Sequence, residues 1–128
     1  MINASISGKE SQQMTEENIR PWGHYDVLHS ADDHQVKTIT VLPEQRLSLQ
    51  AHKRRSEHWI IVRGAAVATL DERTIPLVAG QHVFIEAGSV HRMENPGTEP
   101  LVFIEVQVGD YFGEDDIVRL EDDFGRVS

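Results

Sequence analysis

At 128 residues, with 39% hydrophobic and 26% charged residues, the chain has the length and balance of one globular domain with a single core. Its formal charge of −9 argues against nucleic acid as a partner, because phosphate backbones are held by Lys and Arg that outweigh local acid, and the lack of cysteine excludes disulfides and thiolate zinc sites. No run approaches the ~20 apolar residues of a membrane span and the N-terminus lacks a signal-peptide pattern, so no membrane partner and cytoplasmic residence are expected.

Residues 1–19 are polar, without an apolar stripe, and read as a flexible leader; residues 20–128 read as one folded domain. From Pro21 onward, short apolar runs are broken by Gly, Pro and Asp at intervals of about ten residues, the texture of an all-β sandwich or barrel. Strands are expected at 25–28, 36–42, 46–50, 58–63, 65–70, 73–77, 82–85, 91–95 and 101–108. Gly64, Asp71-Glu72, Ala79-Gly80, Ala87-Gly88 and Asn95-Pro96-Gly97 supply the turns between them. Trp22, Trp59, Phe84 and Phe103 are expected in the core, with Trp59 also walling a pocket. Past Gly109, apolar Ile117, Leu120 and Phe124 recur at steps of three and four, which predicts a short C-terminal helical segment packed on the barrel.

The chemistry concentrates in LSLQAHKRRSEHWIIVRG and GQHVFIEAGSVHRMEN. Gln50 and His52 stand two apart, so on a strand both point to one face and can share an ion. Glu57 has the wrong parity unless Lys53-Arg54-Arg55 turns or bulges, and His91 arrives from a later strand as a fourth donor. The expected metal ligands are therefore Gln50, His52, Glu57 and His91, a two-His, two-oxygen set that suits one divalent ion: Zn, Mn, Fe, Co or Ni. Arg54, Arg55 and Arg92 are the candidate phosphate donors in an otherwise acidic chain, with Arg119 and Arg126 closing over the mouth if the C-terminal segment folds back. Lys37, His58 and Glu94 are proton carriers by type, Lys37 being preferred. The acidic GEDD and EDD runs read as solvated faces or helix-terminal charges.

The spacing Gln50-x-His52, four residues, Glu57, six residues, Gly64, followed by Gly80, Gly88, His91 and Asn95, resembles the two motifs of the cupin superfamily. RPWGHYDVL, LSLQAHKRRSEHWIIVRGAA, HRMENPG and IEVQVGDYFGEDDIVRLEDDFGR further resemble the C-terminal isomerase domain of type II phosphomannose isomerases. The resemblance implies a cupin double-stranded β-helix, or jelly-roll barrel, with zinc as the ion. It also implies interconversion of mannose 6-phosphate and fructose 6-phosphate through an enediolate, whose negative oxygens need a cation or positioned donors. Arg55 falls on the arginine of the family's QxHxxRxEHW signature and is assigned a catalytic role with Lys37. In that family the cupin domain usually follows a nucleotidyltransferase domain, and only the isomerase half is assigned here. Two departures stand out: Glu86 replaces the usual cupin proline before Gly88, adding a carboxylate near the substrate, and Pro43-Glu44 replaces a Pro-Gly turn. A non-catalytic sugar-phosphate binder and an Fe(II) cupin oxygenase are the alternatives. The resemblance, together with the benefit of covering edge strands, also implies a homodimer.

Overall fold

In the computed structural model, which describes residues 18–125, the apolar runs become eleven strands. These are β1 (Ile19–Arg20), β2 (Gly23–Ser30), β3 (His34–Val41), β4 (Leu49–Ala51), β5 (Arg55–Arg63), β6 (Ala65–Leu70), β7 (Arg73–Val78), β8 (His82–Ile85), β9 (His91–Glu94), β10 (Leu101–Gly109) and β11 (Val118–Glu121). Most of the leader assigned to residues 1–19, and Arg126, lie outside the described residues. The strands pair antiparallel in two sheets, ordered β1-β2-β3-β10-β5-β8 and β11-β4-β9-β6-β7. Both sheets feed one buried cluster, with Ile39, Trp59, Ile61 and Phe103 from the larger and Ala66, Leu77 and Met93 from the smaller.

Strand alternation explains how this core gives way to a site. On β3, β5 and β10 every second residue points inward, and the register places Ile39, Phe103 and Ile61 in one row. The next inward row joins Lys37 and Glu105 to Trp59, and beyond it lie Gln107 and Glu57. All five of these residues are buried. One end of the barrel interior is thus apolar and the other is lined with polar groups, and burying such groups is tolerable only when they partner one another or a ligand.

Two expectations fail. Phe84 is 51% exposed because β8 turns Ile85 inward and Phe84 outward. Among the described residues the C-terminal segment has one 3-10 turn, at Glu114–Asp116, after which Val118–Glu121 forms a strand on β4. Leu120 is 50% exposed, so its spacing from Ile117 and Phe124 does not mark a buried helical face. The segment instead covers the edge that β4 would leave open, and satisfies its backbone hydrogen-bonding groups.

Where β10 ends, Gly109 passes so close to β5 that an added Cβ would lie 2.1 Å from the Arg54 carbonyl oxygen and 2.8 Å from the Arg55 Cα. Backbone cannot yield there as a flexible side chain would. Gly109→Ala is expected to cost about 1–3 kcal/mol in urea denaturation and to displace Arg55; a change below about 0.5 kcal/mol would show that the strands separate freely.

Candidate metal centre and cleft

β4 stops at Ala51 and β5 starts at Arg55, so residues 52–54 make the break in strand parity that brings His52 and Glu57 together. β9 then sets His91 opposite Gln50. His52 Nε2 lies 3.3 Å from Glu57 Oε2 and His91 Nε2 3.5 Å from Glu57 Oε1, all three side chains being buried. Their ligand atoms lie within 4.8 Å of one another. The far nitrogen of each ring is committed to a backbone carbonyl: His52 Nδ1 to Asp116 O and His91 Nδ1 to Ser89 O, each at 3.0 Å. A carbonyl only accepts, so each Nδ1 carries the proton and each Nε2 lone pair faces Glu57, the tautomer a metal ligand needs. Gln50 donates its amide nitrogen to Ser48 Oγ at 2.9 Å, which leaves its amide oxygen as the atom suited to ligation.

The electrostatics of the cluster suit a cation. Burial, reinforced by the Arg55 charge, pushes His52 down to about 4, and burial also lowers His91, so both imidazoles are neutral at pH 7. Burial, then the neighbouring Glu105 charge, pushes the Glu57 carboxyl well above the ordinary carboxylate range. Burial also acts upward on Glu105, but Lys37 and hydrogen bonds from Glu57 and Trp59 hold it below that range. Arg55 supplies the positive charge nearest the cluster, with Nε 3.4 Å from Glu57 Oε2 and Nη2 3.4 Å from His52 Nε2. Two neutral imidazoles, an amide and one desolvated carboxyl fit a single divalent ion of the transition series or zinc.

The cluster opens into a cleft whose walls carry Arg20, Lys37, Arg55 and Arg119 beside Glu57, Glu105 and Glu114. Lys37 Nζ sits 4.5 Å above the Tyr25 ring. Trp59 lies behind the cluster, its ring edge-on to His91 at 5.5 Å and its Nε1–H donating to Glu105 Oε2 at 2.9 Å. Arg119 reaches the wall because β11 folds back on β4.

Other expected site residues do not line the cleft itself. Arg54 is exposed, bonded to Asp110 at 3.1 Å and stacked on Tyr111 at 4.6 Å, because the turn that buries Arg55 points its predecessor outward. Arg92 lines a small chamber behind the cleft with Gln50, Glu57, Trp59 and His91, and its guanidinium donates to Leu47 O and to Glu121 Oε1, both at 2.9 Å. Glu86 is exposed beyond the end of β8 and lines neither the cleft nor the chamber behind it. His58 faces outward against His82, with 3.0 Å between ring nitrogens, and Glu94 pairs with Arg46 at 3.8 Å.

Sequence reasoning passed over Glu105, Gln107 and Asp116. For Glu105 a signal was present: one acid at an inward position in the largely apolar LVFIEVQV needs a buried partner or a function.

A family described as mannose-6-phosphate isomerase C-terminal matches residues 7–122. The alginate biosynthesis protein AlgA of Pseudomonas aeruginosa is 51% identical over 121 residues, covering 94% of this chain and 25% of the relative. Mannose-1-phosphate guanylyltransferase ManC of Salmonella typhimurium is 44% identical over 120 residues, with the same two shares. The chain thus spans about a quarter of the length of these curated relatives. Among solved structures, an uncharacterised Klebsiella pneumoniae protein with a double-stranded β-helix domain superposes with a TM-score of 0.70 at 23% identity, covering 88% of this chain and 99% of that one. The fold is the cupin double-stranded β-helix.

Proposed function

The chain belongs to the mannose-6-phosphate isomerase C-terminal family, and from that premise we propose that it is a metal-dependent aldose-ketose isomerase acting on mannose 6-phosphate and fructose 6-phosphate. The observation that carries this reading is that the His52–Glu57–His91 donor cluster presents His52 and Glu57 to one cleft that also carries four cations, in a chain of net charge −9. Cations gathered in one cleft of an acidic protein favour a phosphorylated substrate.

Gln50, His52, Glu57 and His91 would hold the ion, which when bound supplies Lewis-acid charge stabilisation. Zinc is the ion this reading favours. Arg55, always protonated, lies beside the cluster and stabilises the negative charge of the enediolate as a proton leaves the carbon next to the carbonyl. Lys37 and Glu105 face each other from β3 and β10 on the cleft wall, offering an ammonium to donate and a carboxylate to accept that proton. Arg119 and Arg20 stand farther round the wall for the phosphate. Trp59 and the apolar row below it close the inner side against water.

The test is an assay of zinc-loaded protein with mannose 6-phosphate, read through formation of fructose 6-phosphate. Turnover is expected in the wild type, with a loss on the order of 100-fold for Arg55→Ala, the scale of one lost charge-stabilising donor. Absence of turnover with any hexose phosphate would remove the isomerase reading. Tight sugar-phosphate binding without turnover would replace it with a binding module. The homodimer belongs to the same reading and is supported by Ile60, Val62, Phe84 and Val108, all exposed on the outer face of the larger sheet. A monomeric mass in solution would contradict it.

A further inference from the structure

The acidic GEDD run does not simply face solvent. Asp116, its last residue, reaches back across the fold to the loop that carries His52. Its Oδ1 accepts from Lys53 N at 3.2 Å and its Oδ2 from Arg54 N at 2.9 Å, while its own carbonyl accepts from His52 Nδ1 at 3.0 Å. The side chain thereby fastens the 3-10 turn Glu114–Asp116 to the start of β5, and the main chain of that turn sets the tautomer and ring orientation of His52. One residue farther along, Ile117 enters the cleft wall, and then β11 pairs Arg119 with Gln50. The strap's distal end is fastened separately, by Arg46 to Asp123 at 2.8 Å.

We infer that Asp116 is a positioning residue for the metal centre, its carboxylate holding the C-terminal strap where the strap's backbone orients His52. The inference rests on the metal-centre reading above for its consequence, but not for its first observable, which exists in the metal-free protein. Groups that orient a metal-ligating histidine typically contribute 10–100-fold to metal affinity. Here the orienting group is a backbone carbonyl that no substitution can delete, so the side chain that places it is the point of attack.

The test compares wild type, Asp116→Ala, Asp116→Asn and Asp123→Ala. Long-range 15N spectra of the metal-free proteins are expected to show His52 as the Nδ1–H tautomer in wild type and as a mixture in Asp116→Ala. Zinc affinity, measured by competition with a chromophoric chelator, should fall about 10–100-fold in Asp116→Ala. Asp116→Asn keeps an acceptor for one of the two amides and should fall between. Asp123→Ala loosens the strap away from His52 and should leave both readouts within about twofold of wild type. An unchanged tautomer and affinity in Asp116→Ala would overturn the inference, as would equal losses in Asp123→Ala, which would mean that any loosening of the strap suffices. If Asp116→Ala does not fold, the contrast between Asp116→Asn and Asp123→Ala decides on the same terms. If the wild type binds no zinc, the metal-centre reading fails by itself, and the tautomer comparison still judges Asp116.

Discussion

Glu57→Gln is expected to abolish zinc-dependent stabilisation and turnover while leaving the metal-free protein at least as stable as the wild type. Without a metal, Glu57 is a desolvated carboxyl whose pKa in the folded state is raised well above its ordinary value, so its neutral form is favoured and glutamine mimics it in shape. A raised folded-state pKa contributes stability that is fully present below the unfolded value near 4.5 and is lost as pH rises through the folded value. The metal-free wild type should therefore lose ground to the variant as pH climbs. His52 works in the opposite direction, since its depression to about 4 costs stability as pH falls from 6.5, but both proteins share that effect. A bound cation inverts the preference of Glu57, because the ligand must be ionised. Zinc binding should then release more protons from the wild type, whose Glu57 carboxyl burial holds toward its neutral form, than from the variant, which has no carboxyl to ionise at that position. Calorimetry in buffers of different ionisation enthalpy reads this directly. Zinc at about 1,000 times its Kd adds ~4 kcal/mol to the wild type, roughly 10 °C or more in Tm for a domain of this size. Losing several kcal/mol of Lewis-acid stabilisation corresponds to at least a ~1,000-fold loss of kcat/KM. A variant that binds zinc within tenfold of the wild type would show that Glu57 is no ligand.

The meeting of His52 and Glu57 was legible in the sequence because strand alternation and the Lys53-Arg54-Arg55 break act locally, between the end of β4 and the start of β5. The register of β4 on β9, which sets Gln50 opposite His91, follows from barrel closure and was reachable only through the motif spacing. The expected phosphate donors were harder. Arg54, Arg55 and Arg92 look equivalent as residue types, yet one turn exposes Arg54, buries Arg55 against Glu57, and leaves Arg92 to the carbonyl of Leu47 and to Glu121. Which of three arginines faces a cleft depends on one-residue differences in parity, beyond the precision with which turns can be placed from composition. The C-terminal segment misled for another reason. Its apolar spacing suited a helix, but the open edge of β4 imposes a backbone hydrogen-bonding demand that local periodicity does not register. Glu105 was the avoidable omission, since a charge within an inward apolar stripe declares itself.

Glu105→Leu should be the most destabilising of the substitutions considered, at about 3–5 kcal/mol, because it strips a buried cation of its counter-charge. Lys37 is opposite Glu105 across the β3–β10 ladder, both are buried, and the Lys37 charge is the leading influence that offsets burial at the Glu105 carboxyl. Leucine at 105 also removes the acceptor of the Trp59 indole N–H and one acceptor of Gln107 Nε2. Lys37→Met should cost less, since Glu105 keeps both of those donors and the nearby Arg55 charge. The decisive protein is the double variant Lys37→Met/Glu105→Leu. Replacing two buried, oppositely charged neighbours together with apolar groups of similar volume should be close to neutral, so most of the loss should return, leaving ~1–3 kcal/mol for the orphaned indole N–H. The coupling energy from urea denaturation of the four proteins should then exceed about 1 kcal/mol, whereas additivity within ~0.5 kcal/mol would show that the two residues do not interact. Turnover should not return with stability. A pair kept only for folding would be improved by apolar replacement without loss of rate, so stability that recovers while catalysis stays absent would assign Lys37 and Glu105 to the chemistry of the cleft.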